Sequence, residues 1–481
     1  LWTVLGTIVP GIGLVRAGHR VAGGVILAAV ALGVAGLAGF GLLNPGAFAQ
    51  LVLDPDVLNG AAVALLVLAL AWIVLISATQ LSLRPSPASP IHRVVGAALV
   101  GVLSFAVAAP MALLANYAYT SATAITAIFG PDTEGSASPA TAGVDPWANT
   151  DRLNILILGG DSGLRSNRSA AVGARTDTVM VASIDTHTGL TTLITLPRNA
   201  EQVPFPPGSP LHRYYPNGFY KPGAKGKERA EYLLNAMYRN VPAAVPADLL
   251  GKTKDLGAAA MMQAVGYSLG LDIHYYVFVN LDGFKDFVNA IGGLTLNVNY
   301  AIPIGGHNAS PPEPEVKPDG WIEPGGAQHL SGRLALWYAR GRYHLNDYSR
   351  MERQRCVVYA VTQQTGPTAV LTNYQAIAAT GAKNISTNVP QTLLPALAEL
   401  GLKVKDTRTR SLVFDPSNGF LSYQPDWNAV RARVKKALAE TARTGTASPS
   451  TSTTPGATGS RSDDLASVCS YHPDDYQPTK R

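Results

Sequence analysis

Sixteen residues, Arg340 to Arg355 (RGRYHLNDYSRMERQR), hold five arginines and no lysine. With 38 Lys+Arg in 481 residues, a stretch of that length would average about 1.3 basic side chains. The choice of arginine matters, because its planar fork grips a phosphate at two points while lysine is a point charge. Asp347 opens a predicted helix, and Arg350 and Gln354 follow at +3 and +7 on the same face. An Arg-x-Arg pair, Arg340 and Arg342, stands just before it. These residue types at these spacings make either an anion site with a built-in carboxylate or a solvated basic helix laced with ion pairs. Three shorter motifs lie upstream: Gly159-Gly160-Asp161-Ser162, Arg175-Thr176-Asp177-Thr178 and Pro197-Arg198-Asn199. Together they supply two carboxylates and two guanidiniums. A magnesium ion takes one or two carboxylates plus phosphate oxygens, which suits Asp161 and Asp177. Arginines without lysines suit a diphosphate.

The predicted elements place these groups at strand ends, where α/β proteins bind ligands. Asn154 to Leu158 reads as a buried strand ending at Asp161. Thr178 to Ile184 and Leu190 to Leu196 form a hairpin around Asp185–Gly189, with Asp177 before it and Arg198 after it. Leu256 to Leu269 is a predicted helix, Tyr275 to Val279 a strand, Leu281 to Ile291 a helix and Leu294 to Val298 a strand. Ala327 to Tyr338 is expected to be a helix running into the arginine pair, and Asp347 to Gln364 the arginine helix itself. Helices around Tyr374, from Val389 to Leu400 and from Trp427, with a strand near Leu412, complete an α/β fold. Its centre is a mixed sheet flanked by helices.

The N-terminal part differs in composition. Val21 to Leu43, Ala61 to Leu83 and Val94 to Tyr119 carry no charge, and each is long enough to cross a hydrocarbon core of about 30 Å. Residues 1–120 are therefore expected to form a membrane region with about three transmembrane helices. Trp2 to Val15, broken by Pro10-Gly11, reads as a re-entrant or interfacial piece. Because the sequence opens on Leu1, its native start is expected upstream. Arg16, Arg20, Arg84 and Arg93 lie in loops on one side, and Asp54 and Asp56 on the other, so the basic loops belong in the cytoplasm. Everything after Tyr119 is then extracytoplasmic.

The expected division beyond the membrane region is a flexible linker over 121–150, a catalytic domain over 151–443 and a low-complexity, disordered tail over 444–481. The two cysteines, Cys356 and Cys469, lack metal-site spacing. In an oxidising compartment they either pair or remain as buried or free thiols. The formal net charge of +6 is modest, no nucleic-acid module is present, and no nucleic-acid partner is expected.

The chain from Asn154 to about Val361 resembles the LytR-CpsA-Psr family of cell-envelope phosphotransferases. The motifs that carry the resemblance are NILILGGDS, RTDTVMVASID, TLPRN, HYYVFVNLDGFKDFVNAIGGLTLNV, PGGAQHLSGRLALWYARGR and NDYSRMERQR. The resemblance implies a membrane-anchored, magnesium-dependent enzyme of cell wall assembly. Such an enzyme moves a glycopolymer from a polyprenyl-pyrophosphate lipid carrier onto a peptidoglycan acceptor. It places Asp161 and Asp177 at the metal, and Arg175, Arg198, Arg340, Arg342, Arg350 and Gln354 on the phosphates. Asp347, with Arg342 and Arg198, becomes catalytic, either orienting arginine or helping to deprotonate the acceptor. The sequence departs from the family pattern at Asn199, where an acid is usual, and at Gly163, with Arg165 two residues on. The lipid tail needs an apolar slot, for which Phe278, Phe284, Phe287, Val288, Ile291, Met261, Met262 and Val265 are candidates, although each taken singly reads first as an ordinary core residue. Two other functions fit the same residues: a polyprenyl-(pyro)phosphate hydrolase and a non-catalytic, lipid-binding envelope regulator.

Overall fold

Charge-free apolar runs build the N-terminal helices of the computed structural model, which describes residues 2–44, 47–48, 51, 54–84, 89–129, 146–161, 174–309, 314–365, 384–444 and 463–476. The chain divides into two compact units, Leu1–Thr126 and Ala127–Arg481. In the first, α1 (Trp2–Ile8) and α2 (Ile12–Arg16) form a hairpin. Its corner is Gly11, at φ +95°, where a Cβ would lie 2.3 Å from the Gly23 carbonyl oxygen. Helices α3 (Arg20–Leu43), α4 (Pro55–Ser82) and α5 (Pro90–Ile128) follow. All three are long and apolar enough to cross a membrane. The hairpin is pinned to α4 by Thr3 Oγ1 donating to Gln80 Oε1 (2.5 Å) and Trp72 Nε1 donating to the Thr7 carbonyl (3.2 Å).

The second unit is built on a seven-stranded sheet. Its first three strands are β1 (Arg152–Gly160), β2 (Thr176–Asp185) and β3 (Thr191–Thr195). Short helices α6 (Pro210–Tyr214) and α7 (Gly226–Ala230) precede α8 (Leu234–Ala244) and α9 (Leu256–Leu269). Strand β4 (Tyr275–Val279) then runs parallel to β1. Helix α10 (Leu281–Ala290) leads to β5 (Leu294–Val298), β6 (Ile302–Ile304), β7 (Gly320–Ile322) and β8 (Gly325–Leu330). These four pair as two small ribbons, β5 with β8 and β6 with β7. Helix α11 (Gly332–Arg340) precedes α12 (Asp347–Gln364), and β9 (Ile385–Thr387) pairs with β4. Helix α13 (Leu394–Lys405), β10 (Thr409–Val413), α14 (Trp427–Thr444), β11 (Asp463–Asp464) and α15 (Leu465–Val468) complete the unit. The sheet order is β11-β10-β3-β2-β1-β4-β9, with parallel and antiparallel neighbours mixed. Helices α8, α9 and α14 supply Met237, Val241, Met261, Val265, Val430 and Val434 to a core shared with Leu156, Val181 and Ile194 of the sheet. This is the mixed sheet flanked by helices that the sequence pattern implies.

Four expectations are corrected. Ala327 to Tyr338 is not one helix: Gly325–Leu330 pairs with β5, and the helix starts at Gly332. The helix expected from Val389 begins at Leu394, after a 3₁₀ turn over Gln391–Leu393. The span 121–150 is not all linker, since α5 runs to Ile128 and Trp147 is buried. The tail does not stay apart from the domain. Asp463–Asp464 adds an antiparallel strand to β10, and Leu465, fully buried, packs on Met180 and Leu193. Cys469 is joined to Cys356 of α12 by a disulfide with Cα atoms 5.4 Å apart. The helix expected around Tyr374 lies outside the described residues.

Candidate functional site: a ring of two carboxylates and two arginines

The site begins with a bulge. In the antiparallel β1–β2 pair, Gly159 faces Thr178 and Gly160 faces Thr176, so Asp177 is the extra residue with no partner. A bulge of this kind re-aims a side chain and ends the regular ladder. Gly160 lies so close to the Phe278 ring that a Cβ there would stand 2.3 Å from it, which keeps this strand end slim. On the other side, β2 and β3 pair with Met180 opposite Thr195, and Leu196 N–H donates to the Val179 carbonyl (3.1 Å). Two residues further along the same register, Asp177 and Arg198 stand opposite one another.

Arg198 Nη1 donates to Asp177 Oδ1 at 2.5 Å, and its Nε lies 3.4 Å from Asp347 Oδ1. Arg350 Nη2 donates to Asp347 Oδ2 at 3.1 Å, and its Nη1 lies 3.7 Å from Asp177 Oδ2. The four side chains close a ring in which each carboxylate is held by both guanidiniums. Helix α12 supplies two of them, Asp347 in its first turn and Arg350 one turn later, after Asn346 caps the helix by accepting from Ser349 N–H (2.7 Å). Arg350 is 1% exposed, and its Nε has no hydrogen-bond partner among the described residues.

Electrostatics follow from this packing. Burial raises the Asp177 pKa, but Arg198, Arg350 and Arg342 outweigh it and hold the carboxyl below its ordinary value. Burial works against the Arg198 cation, yet Asp177 and Asp347 raise its pKa. Burial and the neighbouring Arg198 push Arg350 down to about 10, so it stays charged at neutral pH.

Arg342 stands beside the ring without joining it. Its guanidinium has no ion pair or hydrogen bond among the described residues, and the residue is exposed to solvent. Crowding by protein and by Arg198 lowers its pKa, while Asp177 and Asp347 pull it back up. The Arg342 loop is held by Arg353, another arginine of the cluster. Arg353 is 2% exposed and donates to the Tyr338 carbonyl (2.6 Å), the Tyr300 hydroxyl (2.5 Å) and the Gly341 carbonyl. Arg355 is also buried and donates to Ser411 Oγ (2.8 Å). Arg340, at the end of α11, lies over the Trp337 indole, 4.9 Å from its centroid. Gln354 is buried one turn beyond Arg350.

Asp161 and Arg175 are joined at the ends of β1 and β2. Asp161 Oδ1 accepts from Arg175 N–H (2.8 Å), and Asp161 N–H donates to the Arg175 carbonyl (2.9 Å). The Arg175 guanidinium is bonded outside the ring. It donates to the Ala230 carbonyl (3.2 Å) and to Glu231 Oε1 (2.6 Å). Glu231, which carries no motif, is the residue sequence reasoning missed. Its 56-residue separation from Arg175 leaves no local signal.

Among the described residues, no three His, Cys, Asp or Glu side chains gather into a metal-binding group. Arg165 and Gly163 lie outside the described residues, and Asn199 is exposed after Arg198. The residues expected to line one apolar slot fall into two clusters. Phe278, Met261, Met262 and Val265 belong to the core under the sheet. Val288, Phe284, Phe287 and Ile291 pack with the β5–α11–α12 core.

Fold and site together define an α/β domain whose strand ends and one helix gather guanidiniums around paired carboxylates. The chain belongs to the LytR-CpsA-Psr family: the model of the LytR_cpsA_psr family matches residues 116–419. It is 26% identical over 244 residues to an Enterococcus faecalis protein named polyisoprenyl-teichoic acid–peptidoglycan teichoic acid transferase TagU. That match takes in 50% of this chain and 63% of the relative. It is 27% identical over 277 residues to biofilm regulatory protein A of Streptococcus mutans, covering 56% of this chain and 59% of that one. Among solved structures, a Streptococcus agalactiae protein is similar at a TM-score of 0.42 and 26% identity, over 60% of this chain and 89% of the other. The chain thus spans about three-fifths of the length of these two curated relatives.

Proposed function

We propose that this protein is a membrane-anchored transferase that moves a glycopolymer from a polyprenyl-pyrophosphate carrier onto peptidoglycan. The observation that carries the reading is Arg342, an uncommitted guanidinium beside a ring whose own arginines are fixed in place by Asp177 and Asp347. Donors positioned before the substrate arrives need no reorganisation when charge develops on it. Family membership and a relative named as a teichoic acid transferase point to the same chemistry.

In this reading an acceptor hydroxyl oxygen bonds to the phosphorus that carries the glycan. The bond from that phosphorus to the bridging oxygen breaks, the lipid monophosphate leaves, and the hydroxyl proton passes to water. Arg342, Arg198 and Arg350 neutralise the phosphate oxygens as charge shifts to the leaving group. Asp347 is the orienting acid, since both its oxygens are engaged by arginine. Magnesium takes one or two carboxylates together with phosphate and water. In this reading Asp161 and Asp177, at adjoining strand ends linked through the Arg175 backbone, would hold an ion that arrives with the phosphates, Asp177 exchanging an arginine contact for it. When bound, such an ion supplies charge neutralisation on the diphosphate.

The three apolar helices support anchoring, and loop charge favours an extracytoplasmic catalytic domain. Protease added to intact spheroplasts should digest that domain; full protection there, with digestion only after permeabilisation, reverses the orientation. The function itself is tested by incubating the purified chain with a polyprenyl-pyrophosphate glycan, with and without a peptidoglycan oligomer. A glycan–phosphate–peptidoglycan product formed only with the oligomer is expected. Equal phosphate release without the oligomer would make the protein a hydrolase, and lipid binding without turnover would make it a binding regulator.

A further inference from the structure

Glu231 sits in a grip built for an anion. Arg175 Nη2 reaches its Oε1 at 2.6 Å. On the other oxygen, Oε2, Arg239 Nη2 makes a close contact and Asn240 Nδ2 donates at 2.9 Å. Arg239 and Asn240 are themselves locked together, with Arg239 Nε donating to Asn240 Oδ1 (2.8 Å). Two guanidiniums and an amide converging on two oxygens are the contacts a phosphate group would receive. Burial raises the Glu231 pKa, but Asn240, Arg175 and Arg239 outweigh it, so the side chain stays ionised. The cradle without Glu231 carries two positive charges, and among the described residues this one carboxylate answers them both.

Its place in the fold gives the grip meaning. Arg175 belongs to the peptide segment that clasps Asp161 and lies two residues from Asp177 in the bulge. Arg239 and Asn240 lie on α8, whose Asn235 N–H donates to the Arg198 carbonyl (2.9 Å). The cradle and the ring are therefore mounted on the same two supports. Glu231, by contrast, follows the five-residue helix α7, and its side chain is 40% exposed against 23% for each arginine. The two cations are anchored on the sheet and on α8, and the anion between them is carried by the segment that joins α7 to α8.

We propose that Arg175, Arg239 and Asn240 form a second phosphoryl-anion subsite, closed in the free protein by Glu231 acting as a displaceable internal anion. The inference rests on the reading of the ring as a diphosphate site. A phosphoryl group of the same donor takes the place of the Glu231 carboxylate, so the subsite opens only for a ligand that outcompetes it.

Full-length protein in detergent micelles tests this by calorimetric titration with geranylgeranyl diphosphate and, separately, with inorganic pyrophosphate. Glu231→Gln keeps the shape and removes the competing charge, so it should lower Kd by about three- to tenfold and steepen the salt dependence. Arg239→Gln should raise Kd by about tenfold. A gain for both probes assigns the subsite to the diphosphate alone, and a gain for the lipid alone assigns it to the lipid headgroup; either supports the proposal. Folded Glu231→Gln that binds no tighter than wild type overturns it. If Glu231→Gln fails to fold, an unchanged Kd in folded Arg239→Gln overturns it, and a tenfold loss sustains it. Wild-type protein that binds neither probe would instead contradict the diphosphate reading of the ring.

Discussion

Arg198 and Asp177 meet at 2.5 Å across the β2–β3 register, three residue pairs beyond Met180–Thr195, the last pair of the ladder. That contact is set by backbone pairing before any charge is considered. The bulge at Asp177 aims the carboxylate, and the strand end after Pro197 delivers the guanidinium. Helix α12 then closes the ring with Asp347 and Arg350.

The ring predicts strong coupling between its members. A double-mutant cycle on Asp177→Ala and Arg198→Ala, followed by thermal unfolding of the solubilised chain, should give an interaction of roughly 0.5–3 kcal/mol. Asp177→Ala alone should be the more damaging, because it leaves the buried Arg350 with one fewer counter-charge. Strict additivity would show that the ring is not a cooperative unit.

Acid should weaken the site in a defined direction. The folded pKa of Asp177 lies below its ordinary value. Its stabilisation is therefore fully present above the unfolded pKa, about 3.9, and is lost as pH falls through the folded value. Thermal stability should be insensitive to this group from pH 7 down to about 5 and should drop below about 4. In Asp177→Asn that acid-dependent drop should be smaller. A drop of undiminished size in the variant would place the titration elsewhere.

The Cys356–Cys469 bridge fastens the arginine helix to the C-terminal segment across a sequence separation of 113 residues. A loop of that size is worth roughly 4–5 kcal/mol in the chain-entropy view. Intact mass should show two hydrogens fewer than the reduced protein, and Cys469→Ser should lower the melting temperature. Two thiols that alkylate fully in denatured, non-reduced protein would rule the bridge out.

Much of this molecule can be read from its residues, and the gaps have physical causes. The arginine helix, β4 and β5 follow from periodicity and caps, and their boundaries coincide with Asp347–Gln364, Tyr275–Val279 and Leu294–Val298. The ribbon strand Gly325–Leu330 was missed because Ala327, Gln328 and Leu330 favour a helix, and only pairing with β5 overrides that preference. The polar tail looked unable to fold. Its order comes from backbone bonding at Asp463–Asp464, one buried leucine and a disulfide, none of which composition reveals.

The arginine cluster shows the same limit. Arg350 enters the ring, Arg353 props the loop and Arg355 bonds Ser411. Spacing marks all three as basic positions on a helix, but which of them faces the ring depends on β2, β3 and β10. Glu231 was invisible for a related reason: its partner Arg175 is reached only through the fold.

The central claim is that Arg342 is the guanidinium left open for the substrate's phosphates. Arg342→Lys keeps the charge and loses the two-point fork. Its loss of one charge-assisted contact should cost roughly 1.5–3 kcal/mol, about ten- to a hundred-fold in transfer rate. The measurement is turnover of a polyprenyl-pyrophosphate glycan onto a peptidoglycan oligomer by folded Arg342→Lys. Arg333→Lys, an exposed position on α11, serves as control. The account predicts the stated loss in Arg342→Lys and wild-type turnover in the control; wild-type turnover in both would contradict it.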